Sequence, residues 1–230
     1  MKWTRKKRRI VIAIAAFGTA VGLALILSPI ISDICARKVM NSRIDMMSST
    51  YDKYDVSDPA ISELWQQAEM YNKELAGIFD GDIREIWSYD KQLSLEGSSE
   101  IGYIEIPEIS VRMVIYHGAG ENSLSAGAGH VEGTSLPIGG ESTHAVVTAH
   151  SGMAGMQAFD RLGELEVGDE FTISVLGKIL TYVVYEVEIV LPDDVSSLGI
   201  ISGEDRVTLI TCTPYGVNDH RLLVHAVRKE

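Results

Sequence analysis

The longest apolar pattern in the chain lies close to its N-terminus. Residues 10–32 form 23 consecutive positions without a charged side chain, which is long enough to cross a bilayer with some tilt. A signal-peptide core is shorter, and no clear small-residue cleavage site follows this run. The pattern therefore predicts an uncleaved transmembrane helix over residues 10–32.

Between residues 33 and 100 the pattern is helical in part and irregular elsewhere. Asp58 and Pro59 are typical of a helix start, with Asp58 as the cap and Pro59 in the first turn. The apolar side chains that follow at helical spacing predict a helix that packs on the main domain. Its apolar stripe consists of Ile61, Leu64, Trp65, Ala68, Tyr71 and Leu75.

From Ile101 onward the apolar period changes from that of helices to that of strands. Clusters of Gly, Pro, Asn and Asp separate the apolar segments, as turns separate strands. Many short strands with few helices between them favour a closed or sandwiched β architecture. The pattern predicts about seven strands, at residues 102–107, 111–116, 145–149, 170–175, 179–190, 206–211 and 222–227.

Charge is distributed unevenly along the chain. The first nine residues hold six of the 20 basic residues, and the remainder carries 14 basic and 32 acidic residues, a formal charge of −18. The acidic remainder of the chain argues against a nucleic-acid partner, because it would repel the phosphates. A basic cluster before a membrane span predicts a cytoplasmic N-terminus, with everything after Asp33 outside the cell membrane.

The clearest candidate for chemistry lies in the last predicted strand pair. Residues 207–211 are apolar or β-branched on both faces, and Pro214 and Gly216 are turn residues, so Cys212 is expected at a strand end. Arg221 then returns beside it on the next strand, and a fixed cation favours a reactive thiolate. A buried structural cysteine is an equal alternative on this stretch alone.

A thiol nucleophile needs a base or a charged partner. His150 ends a predicted strand before a loop, where catalytic groups often lie, and it is the best-placed of six histidines. His220 is the rival, although it belongs to the same turn as Cys212.

Cys35 lies at the outer membrane interface, so a disulfide with Cys212 is disfavoured and two free thiols are expected. No Cys or His spacing typical of zinc is found, and no metal or cofactor is expected.

The stretch Thr208-Leu-Ile-Thr-Cys212-Thr-Pro-Tyr-Gly-Val-Asn218-Asp-His-Arg221-Leu-Leu-Val224 closely resembles the active-site segment of class C sortases, the pilus-assembling transpeptidases of Gram-positive bacteria. The resemblance covers roughly residues 101–228. It implies an eight-stranded sortase β-barrel with Cys212 as nucleophile, His150 as its partner and Arg221 as the third catalytic residue. The further matching motifs are Gly102-Tyr-Ile-Glu-Ile-Pro107, Gly129-His-Val-Glu-Gly-Thr-Ser-Leu-Pro-Ile-Gly139 and Thr143-His-Ala-Val-Val-Thr-Ala-His150.

The chain departs from the family pattern in two places. Family members commonly carry an Asp-Pro-aromatic lid over the active site, whereas residues 82–87, which end in Trp87, stand there in this chain. Many members also have a second, C-terminal membrane helix, and here the sequence ends just past the last strand, so a single N-terminal anchor is expected. The expected organisation is a cytoplasmic basic tail at 1–9, a transmembrane anchor at 10–32, an extracytoplasmic helical and lid-like segment at 33–100 and a catalytic barrel at 101–230.

The resemblance implies a cysteine transpeptidase of pilin or other surface proteins that carry sorting signals. Cys212 would cleave a Leu-Pro-X-Thr-Gly-like signal between Thr and Gly through a thioacyl enzyme, and a lysine amine of a pilin would accept the acyl group. His150 would move the protons, and Arg221 would hold the oxyanion or favour the thiolate. An alternative is a sortase that attaches proteins to a cell-wall precursor amine. A non-catalytic surface module with an incidental cysteine is the third interpretation.

Overall fold

The structure is a computed structural model, and it describes residues 5–51, 58–77, 89–152 and 158–229. Residues 82–87, the segment that takes the place of a lid, lie outside the described residues. Three helices are described, α1 (Arg5–Tyr51), α2 (Pro59–Leu75) and α3 (Glu121–Leu124). The eight described strands are β1 (Glu100–Ile106), β2 (Val111–His117), β3 (Ala128–His130), β4 (Thr143–Thr148), β5 (Glu170–Val175), β6 (Lys178–Val190), β7 (Asp205–Thr213) and β8 (His220–Arg228).

The eight strands close into a barrel in the order β1-β2-β3-β4-β7-β8-β6-β5. Two neighbouring pairs, β2 with β3 and β4 with β7, are parallel, and the other pairs are antiparallel. The expected closed eight-stranded β-barrel is therefore confirmed. The interior is apolar, and two of its large buried rings, Phe171 and Tyr182, stack with their centroids 5.7 Å apart.

The apolar pattern predicted seven of these strands to within a few residues and missed β3. This strand has only three residues, too few to show an alternating pattern, and it lies in a glycine-rich stretch. A Cβ on Gly129 would overlap the carbonyl oxygen of Gly118. Glycine at this position is therefore what lets β3 approach the end of β2, although the same residue argues against a strand in the sequence.

Helix α1 is long and apolar enough to cross a membrane, in agreement with the predicted anchor. The helix continues beyond the apolar run, through Pro29 to Tyr51. Beyond the apolar run, Met40, Ile44 and Met47 are buried against the barrel. Polar contacts reinforce this packing, since the Arg43 guanidinium donates to the hydroxyl of Tyr116 across 2.8 Å. The part of α1 beyond the apolar run is thus fixed to the barrel wall.

Helix α2 begins where the sequence predicts. The Asp58 carboxylate accepts a hydrogen bond from the Ala60 amide at 2.9 Å, and Pro59 occupies the first turn. Its apolar stripe packs on the barrel. At its C-terminal end the buried Asn72 side chain both donates to the carbonyl of Leu136 (3.0 Å) and accepts from its amide (2.7 Å). These two bonds fix the loop that leads from β3 to β4.

Candidate active site

Cys212 and Arg221 lie directly opposite each other on the antiparallel strands β7 and β8. Opposite residues of an antiparallel pair point to the same face of the sheet. Because Val207 and Leu209 are buried in the barrel core, the two-residue period of a strand places Cys212 on the outer face. Cys212 is a half-buried free thiol, and Cys35 is also free, as expected.

The guanidinium of Arg221 is held at the mouth of the site by the turn between β7 and β8. Its Nη1 donates to the carbonyl oxygens of Asn218 (3.1 Å) and His220 (2.9 Å). Asn218 has a left-handed backbone with φ of 62°, a conformation that asparagine tolerates better than most residues. The turn sequence therefore fixes the position of the cation beside the thiol.

His150 reaches the same end of the sheet from β4, which is parallel to β7. Thr148 pairs with Ile210, and the Ala149 amide continues the ladder by donating to the Ile210 carbonyl at 3.2 Å. The two-residue period then carries His150 to the level of Cys212 on the same face. Within the described parts of the chain, the buried Nε2 of His150 has no hydrogen-bond partner.

The rival histidine occupies a different position. His220 pairs with Thr213, one residue beyond the Cys212–Arg221 pair, so it points to the opposite face of β8. Its Nδ1 lies 2.9 Å from the Asp219 carboxylate, and this contact lowers the pKa of Asp219. Of the two candidate histidines, the topology brings His150 to the thiol and directs His220 away from it.

Three hydroxyl groups that sequence analysis overlooked tie the ends of β4 and β7 together. Thr148 Oγ1 donates to the carbonyl of Ile210 (3.1 Å), and Thr211 Oγ1 donates to the carbonyl of Ala149 (2.9 Å). Ser151 Oγ donates to the carbonyl of Cys212 itself (2.8 Å). The available signal was the clustering of Thr and Ser next to both candidate residues.

The loops that follow β4 and β7 also contact each other directly. Gly152 has φ of +85°, and a Cβ built on it would lie 2.8 Å from the ring of Tyr215. Tyr215 is 74% exposed, and its ring lies against Gly152 in the loop that follows β4. Only glycine satisfies both the backbone conformation and the close approach.

The site therefore brings a thiol, an imidazole and a guanidinium to one end of one barrel face. A thiol supplies a nucleophile, an imidazole transfers protons, and a fixed cation stabilises a developing oxyanion. Together these groups are the equipment of an acyl-transfer enzyme that works through a thioester. Fold and site thus define a class of protein, a thiol-dependent acyltransferase built on a closed β-barrel.

Comparison with known proteins identifies the family within this class. Residues 104–229 match the family model described as the sortase domain. This match covers more than half of the chain, and the chain belongs to the sortase family, whose members are cysteine transpeptidases. By sequence it is 27% identical to sortase A of Streptococcus agalactiae over 213 residues, which are 90% of this chain and 79% of that protein.

The similar solved structures are class C sortases. Sortase C1 of Streptococcus agalactiae is 38% identical, with a TM-score of 0.75 over 82% of this chain and 98% of that chain. Sortase C of Streptococcus pneumoniae is 37% identical, with a TM-score of 0.73 over 82% of this chain and 97% of that chain. The expected class C resemblance is thereby confirmed.

Proposed function

We propose that this sortase polymerises pilins and that Cys212, His150 and Arg221 perform its chemistry. The observation that carries the proposal is the register that sets Cys212 opposite Arg221 and brings His150 to the same level from β4. The solved neighbours support the pilin assignment. One of them is described as the sortase C1 of a pilus island, and another is described with its pilin substrate specificity.

In the first half-reaction, the Cys212 thiolate attacks the threonine carbonyl carbon of a Leu-Pro-X-Thr-Gly-like sorting signal. The new carbon–sulfur bond forms a tetrahedral oxyanion, which collapses to a thioester as the Thr–Gly carbon–nitrogen bond breaks. The departing glycine amine needs a proton, and His150 in its protonated form supplies it. Nε2 of His150, which has no hydrogen-bond partner among the described residues, is the atom proposed for this transfer.

In the second half-reaction, a lysine amine of another pilin attacks the thioester. The now neutral His150 accepts the proton that the amine loses, and an isopeptide bond forms as the Cys212 thiolate leaves. The enzyme returns to its starting protonation state, so no further reactant is required.

Arg221 stabilises the oxyanion in both half-reactions. Arginine has five N–H donors in a planar group, and Nη1 is already fixed by the turn carbonyls. The guanidinium therefore presents its other donors without first losing conformational freedom. Removing one such donor typically lowers the rate by about 10²–10³.

The proposed topology places the N-terminus in the cytoplasm and the barrel outside. It is supported by the apolar helix and by the basic cluster that precedes it. Cys35 provides the test, because it is exposed and lies three residues beyond the apolar run. In a Cys212→Ala background, a membrane-impermeant maleimide should label Cys35 on intact cell-wall-free cells. Labelling of Cys35 only after lysis would indicate the opposite orientation, with the barrel in the cytoplasm.

The function is tested with a pilin that bears both a sorting signal and its acceptor lysine. Incubation with the full chain in detergent should give a ladder of covalent products that survives boiling. Changing the acceptor lysine to arginine should remove the ladder, because arginine keeps the charge but its guanidinium stays protonated and cannot attack. A single product formed only with a peptidoglycan-like amine would instead support the wall-anchoring alternative.

A further inference from the structure

Four side chains form a continuous hydrogen-bonded row across strands β4, β7, β8 and β6. His144 Nε2 lies 2.6 Å from Thr208 Oγ1, and Thr208 Oγ1 lies 2.8 Å from His225 Nδ1. His225 Nε2 lies 3.0 Å from the Glu188 carboxylate. At the other end, His144 Nδ1 lies 3.0 Å from the carbonyl oxygen of Gly199. None of these four side chains has a part in the proposed transfer chemistry.

The row lies on the same barrel face as the reactive thiol. Thr208 precedes Cys212 by four residues on β7, and His225 follows Arg221 by four residues on β8, so the strand period puts them on one face. The row is nevertheless buried from solvent on this outer face, since Thr208 is 0% exposed and His225 is 2% exposed.

Residues 191–204, which connect β6 to β7, account for that burial. The connection leaves β6 at Val190, the cross-strand partner of Arg221, and returns to the sheet at Asp205, the partner of Thr143. On the way it supplies the Gly199 carbonyl to His144, and Ser197 hydrogen-bonds to Glu188. The row therefore fastens this connection at two points along its path from the reactive end of the face.

Counting protons shows that two neutral histidines cannot complete the row. The Gly199 carbonyl only accepts, so His144 Nδ1 carries a proton and a neutral His144 presents a bare Nε2 to Thr208. The Glu188 carboxylate also only accepts, so a neutral His225 has its proton on Nε2 and presents a bare Nδ1 to Thr208. The single hydroxyl proton of Thr208 satisfies only one of these two nitrogens.

One additional proton satisfies every contact. If His225 carries protons on both nitrogens, it donates to Glu188 and to Thr208, whose hydroxyl then donates to His144. Burial lowers the pKa of His144, which keeps that ring neutral. The hydrogen bonds from Ser197 and His225 lower the pKa of Glu188, which keeps the carboxylate charged beside the extra proton.

We infer that His225 is a positioning residue, an imidazolium paired with Glu188 that holds residues 191–204 over the face leading to Cys212. The surrounding charges favour a cation at His225. The nearby Arg206 is already paired with Glu204 at 2.6 Å, and the acidic groups around the row outnumber this one arginine. The charged and titratable groups that face the row from the packed elements are Arg206, Glu204, Tyr185, Glu186, Glu188 and Asp194.

The sign of the pH dependence follows from this arrangement. The folded row binds a proton that the connection needs, so its fastening is complete while that proton is bound and weakens when higher pH removes it. Only the consequence for catalysis rests on the proposed function. The hydrogen bonding of the row is a property of the fold and is measured without turnover.

The first test is ¹⁵N NMR on the full chain in detergent, labelled at histidine and assigned with His225→Gln. At pH 6.5 both ring nitrogens of His225 should carry protons, and His144 should carry one. A bare nitrogen on His225 at that pH would overturn the inference.

The second test measures amide exchange of residues 191–204, corrected for the intrinsic pH dependence of exchange. Protection should fall as the pH rises from 6 to 9. In Glu188→Gln, which removes the counter-charge but keeps the shape, that fall should begin about one pH unit lower. Thr208→Val should reduce protection about tenfold at pH 6, whereas Thr208→Ser, which keeps the hydroxyl, should match the wild type.

A purely structural role for the row would lower protection equally at every pH. Overlapping pH profiles for the wild type and Glu188→Gln would therefore refute the proton-bearing role. If the wild-type chain formed no pilin ladders but showed the expected exchange profile, the proposed function would be contradicted and this inference would stand.

Discussion

Replacing His130 by glutamine should remove about 3 kcal/mol of acid-induced destabilisation from this protein. His130 lies on β3 and is fully buried. Its Nε2 donates to the Ser135 carbonyl at 2.8 Å, so in the neutral ring Nδ1 is bare and lies 2.8 Å from the Tyr89 hydroxyl, which also lies 3.0 Å from the His130 carbonyl. A proton added to Nδ1 would place a positive charge in a site without water access.

The magnitude follows from the pKa. Burial lowers the pKa of His130 from 6.5 to about 4. Below pH 6.5 the unfolded chain therefore binds a proton that the folded chain does not, and stability falls as the pH falls. The slope is about 1.4 kcal/mol per pH unit until the folded pKa is reached, and the shift of roughly 2.5 units gives a total of about 3 kcal/mol.

Urea unfolding of the full chain in detergent, followed by tryptophan fluorescence between pH 4 and pH 8, measures this dependence. His130→Gln is expected to be less stable at pH 8, because it disturbs two buried hydrogen bonds. The informative quantity is the difference between the two pH slopes, which is independent of that constant loss. His220→Gln is the matched control at a partly exposed histidine, and it shows how far the same substitution changes the slope outside the buried site.

Parallel stability curves for the wild type and His130→Gln across this range would refute the reasoning. They would mean that His130 binds protons equally well in the folded and unfolded chains. A slope difference of opposite sign, with His130→Gln losing more stability in acid than the wild type, would exclude a buried neutral imidazole.

Four further variants test the site. Cys212→Ala should abolish pilin ladders while leaving the urea midpoint nearly unchanged, and residual ladders would exclude the thiol as nucleophile. His150→Ala should lower the ladder rate by at least about 10²-fold, whereas His220→Ala should change it by less than about threefold; reversed results would mean that the wrong histidine was chosen. Gly152→Ala should lower the rate about tenfold or more, because the strained Cβ displaces the Tyr215 ring, and a fully active variant would show that this loop adapts freely.

Sequence reasoning succeeded where one local pattern determined the outcome. The β-branched run before Cys212 and the turn residues after it predicted a strand pair, and the pair then placed Arg221 beside the thiol. Asp58 and Pro59 likewise determined the start of α2. These signals are short in range, so they do not depend on knowing which strands are neighbours in the barrel.

What the sequence did not reveal depends on contacts between distant segments. His144 and His225 are 81 positions apart in the sequence, and they meet through Thr208 only because β7 lies between β4 and β8. The Tyr89 bond to His130 likewise joins a short helical turn to a strand that the pattern missed. The docking of α1 was not predicted either, because the sequence cannot show that Met40 and Ile44 have the barrel wall as a partner.

In the proposed topology, the contacts of α1 also determine which end of the barrel lies near the membrane. Arg37 is five residues beyond the apolar run, about 8 Å along a helix, and its guanidinium contacts the Ser110 carbonyl at 3.4 Å. The neighbouring Ile109 carbonyl accepts from Arg161 at 3.2 Å.

Two residues before Arg161, the Phe159 amide donates to the His150 carbonyl at 2.8 Å. A short series of contacts thus connects the first extramembrane turns of α1 to the loop that carries the candidate proton donor. Because α1 is continuous through this region, the barrel is not suspended on a flexible tether. In the proposed topology the reactive end of the barrel is therefore expected on the side from which the anchor emerges, so a scissile bond would be presented close to the bilayer surface.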